Sequence, residues 1–222
     1  GQLFHEAGAM YIMGCNPIAL AIMKTPRDCG ADVAVGEGQP LGLPLGYGGP
    51  YLGYMATTSK HMRKLPGRIV GETVDSKGET AYVLSLQARE QHIRREKASS
   101  NICSNQALCA LRALIHLSLL GPCGLTRLAE NNMALTRYAV ERLTSIKGIE
   151  LLNDAPYGNE VALRLPMPAQ MLVDALFAHG CVPGYPLGRY YPGMEDVLLL
   201  ACTERNSRQQ IGMLAETVGG LL

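Results

Sequence analysis

The feature that most constrains this chain is a glycine-rich loop that follows a short apolar run. Residues 31–35 are apolar on both faces apart from Asp32, a pattern that predicts a buried parallel strand. The residues that follow, 36–50, have the sequence GEGQPLGLPLGYGGP. Glycine lacks Cβ and accepts positive φ angles, so such a loop can bring its backbone close to a neighbouring group. The sequence therefore predicts a strand that ends in a loop built around a site.

This loop lacks the side chains that usually carry out catalysis. Between residues 30 and 57 the sequence contains no Lys, His or Ser. The groups with proton chemistry in that stretch are Asp32, Glu37 and the tyrosines Tyr47, Tyr51 and Tyr54. The loop therefore has the shape of an active-site loop without the usual base or nucleophile.

Further motifs carry a family resemblance. Residues 65–75 are LPGRIVGETVD, and residues 89–103 are REQHIRREKASSNIC. Together with the GEGQ and GGP segments of the loop, they resemble the glycine decarboxylase (P-protein) family of the glycine cleavage system. The GETVD and GEGQ segments resemble subunit 1 of its bacterial two-subunit form. The match is strongest over residues 57–120 and weaker toward both ends.

The resemblance implies an α/β fold of the aspartate-aminotransferase-like class, which is fold type I of the pyridoxal phosphate (PLP) enzymes. Residues 1–120 are expected to form the C-terminal portion of the large cofactor-type domain, and residues 121–222 a small α+β C-terminal domain. The pattern after Lys147-Gly148 agrees with this division, because strand-strand-helix-strand-helix is the order of an α+β layer.

The same resemblance separates this chain from the cofactor-bearing subunit. In the family's subunit 2, a lysine in the corresponding loop forms the Schiff base with PLP. With Leu43-Pro44 and Gly49-Pro50 held in register, that lysine position falls on Gln39, which has no amine. The aspartate that would pair with the pyridine nitrogen falls on Gly14. The resemblance implies that this chain binds no cofactor covalently and that PLP belongs to the partner subunit.

The expected function is that of the family. With subunit 2, in a heterotetramer, the chain would decarboxylate glycine and transfer the aminomethyl group to lipoylated H-protein. The activity is that of a glycine dehydrogenase (aminomethyl-transferring), an oxidoreductase, and the isolated chain would be inactive. Two alternatives stay open: a cofactor-free interaction or regulatory scaffold of the same fold, and a subunit with its own ligand site near Gln39.

The charged segment 89–97 supplies candidates for the site. It predicts a helix with guanidinium groups on one face, and guanidinium forks bind phosphate or carboxylate in a bidentate manner. The alternative is a solvated helix with intrahelical ion pairs. The residues predicted to face the partner or the site are Gln39, Gly48, Gly49, Arg89, His92, Arg94 and Arg95.

Composition argues against several other classes of protein. The formal net charge of +1 gives no electrostatic basis for binding nucleic acid or an anionic membrane. The longest charge-free apolar stretch, 113–126, contains Gly121-Pro122 and is too short to span a bilayer. No signal peptide is evident, so we expect a cytoplasmic protein.

The cysteines and histidines show no metal-binding pattern. The sequence has seven cysteines without a Cys-x-x-Cys pair, which indicates buried thiols in a reducing compartment and not disulfides or a metal site. No two histidines have metal-ligand spacing. Cys103, near a predicted helix start, is the one candidate for a reactive thiol.

The remaining patterns predict ordinary elements. Residues 69–75 and 80–86 flank the turn signature Ser76-Lys77-Gly78-Glu79 and predict a β-hairpin. Long helices are predicted on either side of Gly121-Pro122. The other predicted elements are strands at 10–13, 51–57, 149–152, 160–165 and 197–202, and helices at 18–23, 59–65, 169–178 and 207–222.

Overall fold

The computed structural model describes residues 1–67, 69–85, 90–98 and 106–222. The chain forms two compact units, Gly1–Gly121 and Pro122–Leu222, and each is described by itself below. The backbone leaves helical geometry at Gly121, where φ is 60° and ψ is −177°.

The first unit is built on a three-stranded sheet of β1 (Ile12–Gly14), β2 (Val33–Glu37) and β3 (Gly53–Thr57). β2 is central, parallel to β1 and antiparallel to β3. The buried strand predicted at 31–35 is present, with its start two residues later than expected. Its antiparallel partner follows directly from the glycine-rich loop, because a loop without a crossover helix returns the chain beside the strand it left.

The short helices predicted in this unit are wrong in length. The helix predicted at 18–23 is a single 3₁₀ turn, Ala19–Ala21, and that at 59–65 is the turn Met62–Lys64. Asn16 explains the first case, because its side-chain oxygen accepts the backbone N–H groups of Ile18 and Ala19. An additional short helix, α1 (Gln2–Glu6), was not predicted.

The predicted hairpin is confirmed as β4 (Ile69–Val74) and β5 (Thr80–Ser85). Asp75 organises its turn, because its Oδ1 accepts the backbone N–H of Lys77 at 2.7 Å and that of Glu79 at 3.0 Å. Gly78 supplies the positive φ of 81° that the turn requires.

The segment predicted as one helix at 89–97 is instead divided. Helix α2 covers Gln91–Arg94, and a 3₁₀ turn covers Arg95–Lys97. The division lies at Arg95, whose φ of 52° is outside the range of a right-handed helix. Arg89 and Cys103 lie outside the described residues.

Helix α3 (Ala107–Thr144) runs from the first unit into the second and is interrupted at Gly121. In length and composition it is one helix that could cross a membrane. That likeness is weak evidence, because core helices of soluble proteins share it. Within the second unit this helix carries buried apolar side chains such as Ala139 and Leu143.

The second unit is built on a four-stranded antiparallel sheet. Its elements are β6 (Glu150–Leu151), β7 (Glu160–Arg164), α4 (Ala169–Ala178), β8 (Tyr185–Pro186), β9 (Val197–Ala201) and α5 (Arg208–Leu221). The strands lie in the order β6-β7-β9-β8. The edge strand β8 was not predicted, and its Pro186 suits an edge position because proline donates no ladder hydrogen bond.

The core of the second unit holds five side chains that are each at most 2% exposed: Leu163, Leu172, Leu176, Val197 and Val218.

Asp32, immediately before β2, connects three segments of the first unit. Its Oδ2 accepts the backbone N–H of Tyr11 at 2.9 Å and lies 2.8 Å from Nε2 of His5. Its Oδ1 lies 3.9 Å from Nε2 of His61. The N–H of Tyr11, and after it the His5 hydrogen bond, lower the pKa of the Asp32 carboxyl group. The carboxylate therefore ties the N-terminal helix to the sheet, and the ring of His61, just before the Met62–Lys64 turn, lies close to it.

Replacing this carboxylate should change the acid dependence of stability. We expect Asp32→Asn to lower the free energy of unfolding at neutral pH. Because the folded-state pKa lies below the unfolded value of about 3.9, the contribution is complete above that value and is lost as the pH falls through the folded-state pKa. Urea unfolding across the acid range checks this, with the exposed Asp154→Asn as control. Identical acid dependence in Asp32→Asn and the unmodified protein would contradict it.

Candidate functional site

The loop between β2 and β3 is closed at its base by the carboxylate of Glu37. Both carboxylate oxygens lie 2.9 Å from the backbone nitrogen of Gln39. Oε1 also accepts the N–H of Leu52 at 3.0 Å, and the N–H of Gly38 donates to the carbonyl of Leu52. One carboxylate therefore binds the second and last residues of the loop, which fixes where the loop leaves and rejoins the sheet.

Gln39 is partly buried and bonded within its own loop. Its Nε2 donates to the carbonyl of Pro44 at 3.3 Å, and its carbonyl accepts the N–H of Leu43 at 3.1 Å. An amide is not a nucleophilic amine, and the loop sequence has no lysine. The chemistry of these residues does not fit the covalent attachment of an aldehyde cofactor such as PLP.

Gly48 and Gly49 are required by backbone conformation. Their φ angles are 121° and 122°, a region that glycine adopts readily and side-chain-bearing residues avoid. Among the described residues beyond its chain neighbours, a Cβ on Gly48 would meet no heavy atom within 4 Å, and one on Gly49 would lie 3.7 Å from the nitrogen of Tyr51. The constraint is therefore conformational, since the surrounding space would admit a side chain.

The first part of α3 contacts the loop from one side. Sγ of Cys109 lies 3.8 Å from the carbonyl oxygen of Pro50, and Nη2 of Arg112 donates to the carbonyl of Gly42 at 3.4 Å. The ring of His116 lies against Gly42. We call these three helix residues, Cys109, Arg112 and His116, the loop-contacting face. Sequence reasoning missed them, although their i, i+3, i+7 spacing is that of one helix face.

The second candidate set, on and after α2, is exposed. His92, Arg94 and Arg95 all lie at the surface of the described chain. The prediction that Arg94 and Arg95 share a face of one helix is wrong, because the positive φ of Arg95 ends the helix between them. Among the described residues, neither His92 nor Arg95 makes a side-chain hydrogen bond or ion pair. Their role toward a partner stays a prediction.

In the second unit, Arg189 is held on the surface by two neighbours. Its Nε donates to Oε1 of Gln170 at 3.1 Å, and its guanidinium carbon lies 5.8 Å from the centre of the Tyr185 ring. Tyr185 in turn stacks with Tyr190 at 6.1 Å. Residues 188–192 therefore form a tyrosine-rich turn packed beside strand β8.

The titratable groups near β2 do not form a nucleophile. Burial, and after it the neighbouring Cys15, raises the pKa of Tyr54, whose hydroxyl donates to the carbonyl of Cys15 at 2.7 Å. Burial likewise raises the pKa of the Cys15, Cys181 and Cys202 thiols.

Among the described residues, no group of three His, Cys, Asp or Glu side chains could hold a metal ion. The expectation of buried cysteines fails at Cys123, which is exposed.

The family of the chain follows from comparison with known proteins. The family model for the glycine cleavage system P-protein matches residues 1–218. The chain belongs to this family. The predicted resemblance is thereby confirmed.

Several P-protein relatives are similar over the whole chain. The chain is 81% identical to the probable glycine dehydrogenase (decarboxylating) subunit 1 of Desulfovibrio desulfuricans, covering 100% of this chain and 51% of that protein. It is 61% identical to the protein of the same name from Nitratidesulfovibrio vulgaris strain DP4, covering 96% and 48%. The chain thus spans about half the length of these curated relatives.

Solved structures confirm the predicted fold class. A crystal structure of the glycine decarboxylase (P-protein) of the glycine cleavage system, in inhibitor-bound form, matches with a TM-score of 0.92 and 40% identity. The matched region covers 99% of this chain and 50% of the P-protein chain in that crystal structure. An alanine–glyoxylate aminotransferase from Nostoc sp. matches with a TM-score of 0.62 at 16% identity, covering 99% and 55%. The P-protein chain therefore has the aspartate-aminotransferase-like fold.

The conformational requirement at Gly48 gives a stability prediction. We expect Gly48→Val to lower the free energy of unfolding by about 1–2 kcal/mol or more, because a β-branched residue is strained at positive φ. Gly53→Val is the matched control, since Gly53 also has open space around it but lies in a strand without a positive φ. Gln39→Ala should cost less than Gly48→Val. Equal unfolding midpoints in urea for Gly48→Val and Gly53→Val would remove the basis of this prediction.

Proposed function

We propose that this P-protein chain acts as subunit 1 of a two-subunit glycine decarboxylase. The proposal rests on Gln39, which the family resemblance aligns with the lysine position of the cofactor loop and whose side-chain amide donates to the carbonyl of Pro44. In this proposal subunit 2 holds PLP, and the present chain completes the assembly and one side of the site.

In this proposal the two subunits have different roles in the reaction. PLP, when bound to the partner subunit, supplies the electron sink that allows glycine to lose carbon dioxide. The aminomethyl group then passes to the lipoyl arm of H-protein. The present chain forms one side of the site with its glycine-rich loop, because Glu37 and the loop-contacting face hold that loop in one conformation. Alone, it would be inactive.

The charged segment is proposed to bind an anion of the partner's site. Arg94 and Arg95 each present a planar guanidinium fork that can bind an anion in a bidentate manner, which the imidazole of His92 cannot do. A guanidinium suits a phosphate or a carboxylate. The assembly would be a cytoplasmic heterotetramer.

A cofactor-free scaffold is the alternative function, and the internal bonding of Gln39 supports it too. A loop whose amide is already paired offers little to a ligand. The two functions differ in one observable. A scaffold leaves glycine decarboxylation by subunit 2 unchanged, whereas a subunit that completes the site is required for it.

Decarboxylation by the reconstituted enzyme tests this proposal. Subunit 2 with full-length subunit 1, lipoylated H-protein and glycine should release carbon dioxide, and either subunit alone should not. Within that enzyme, Arg94→Lys or Arg95→Lys should lower kcat/KM. A lost charge-assisted hydrogen bond is worth about 1.5–3 kcal/mol, or about ten- to a hundredfold.

The control for this measurement is Arg205→Lys, which changes an exposed arginine of the second unit. Folding of each variant is checked separately by urea unfolding. Wild-type turnover in both Arg94→Lys and Arg95→Lys would exclude the anion-binding role of the segment. Full activity of subunit 2 alone would exclude the proposed function itself.

A further inference from the structure

We propose that Arg112 and His116 of helix α3 are positioning residues, which hold the loop at Gly42 and thereby fix Gln39 at the edge of the site. The inference rests on the proposed function, in which the Gln39 loop forms one side of that site. It assigns a role to two side chains that lie 70 or more residues away from Gly42 in sequence and that no motif singles out.

The helix is packed in the first unit beside the loop-contacting face, with Arg112 itself at the surface. Cys109 and Ala113, on the same side of the helix, are only 6% and 5% exposed. Cys109 meets the end of the loop at Pro50, and Arg112 meets its middle at Gly42. The helix therefore contacts the loop at two separate points, which restrains its displacement as a whole.

His116 occupies the space that a side chain at residue 42 would need. A Cβ built on Gly42 would lie 2.8 Å from Cγ and 2.9 Å from Nδ1 of His116, closer than real Cβ contacts. The φ of Gly42 is also positive, at 87°. The loop backbone thus lies directly on the imidazole ring, and both the conformation and the contact require glycine.

The position of Gly42 affects that of Gln39, because the residues on either side of Gly42 are hydrogen-bonded to Gly38 and Gln39. The N–H of Leu43 donates to the carbonyl of Gln39 at 3.1 Å, and the N–H of Leu41 donates to that of Gly38 at 2.9 Å. Arg112 holds the carbonyl of Gly42 between these two bonds. Releasing Gly42 would loosen the turn that carries Gln39, and a displacement of about 1 Å in a site can cost about a hundredfold in rate.

The first measurement is hydrogen exchange in full-length subunit 1, followed over residues 38–44. Arg112→Ala and His116→Ala should each raise the exchange rate of this segment at least about tenfold, while exchange in the second unit stays unchanged. Arg127→Ala, which removes an exposed arginine from the same helix, is the control. Exchange at the wild-type rate in both variants would overturn the proposal.

The second measurement is turnover by the assembled two-subunit enzyme. Arg112→Ala and His116→Ala should lower kcat about tenfold or more, with binding of subunit 2 and the unfolding midpoint retained, and Arg112→Lys should recover part of the loss. Faster exchange with wild-type turnover would mean that the contact is structural only, and would overturn the positioning role. An inactive wild-type enzyme would instead refute the proposed function, and the exchange measurement would still decide whether the two side chains hold the loop.

A double-mutant cycle isolates the contact between residues 42 and 116. Gly42→Ala should be more harmful to exchange protection and turnover than Gly48→Ala, because both have positive φ but a Cβ on Gly48 would meet no described side chain within 4 Å. Combining Gly42→Ala with His116→Ala should cost less than the sum of the two changes, since removing the ring removes the clash. Strict additivity would overturn the assigned contact.

Discussion

Two carboxylates bracket the central strand β2, and the first unit is arranged around them. Asp32 at its beginning binds the N–H of Tyr11 and the ring of His5. Glu37 at its end binds the N–H groups of Gln39 and Leu52. Backbone N–H groups at strand ends lack ladder partners, and each is costly if buried without one. A single five-residue strand can therefore fix both the N-terminal segment and the glycine-rich loop.

The loop is consequently defined by backbone constraints, and its sequence contains no lysine, histidine or serine. Its glycines supply positive φ angles at Gly42, Gly48 and Gly49, and the face of α3 supplies the contacts. A cofactor lysine would add a charged amine to this arrangement, and Gln39 adds an amide that the loop itself satisfies. Such a loop suits a subunit that shapes a site whose reactive group belongs to a partner.

Much of this arrangement could be predicted from local sequence. The apolar run before Gly36 and the hairpin around Gly78 both follow from residue type and short-range pattern. The division of the 89–97 helix could not be predicted, because charged residues at helical spacing do not reveal the left-handed conformation of Arg95. The contact of α3 with the loop joins residues far apart in sequence, and local patterns carry no signal for such pairs.

The central claim is that this chain shapes the site and its partner holds the cofactor. The most direct measurement is borohydride reduction of the assembled two-subunit enzyme with PLP, followed by peptide mapping of both chains. The account predicts one stoichiometric phosphopyridoxyl lysine on subunit 2, with only scattered, substoichiometric labelling of surface lysines such as Lys60, Lys64 and Lys77 on this chain. Stoichiometric labelling of a single lysine in this chain would contradict it.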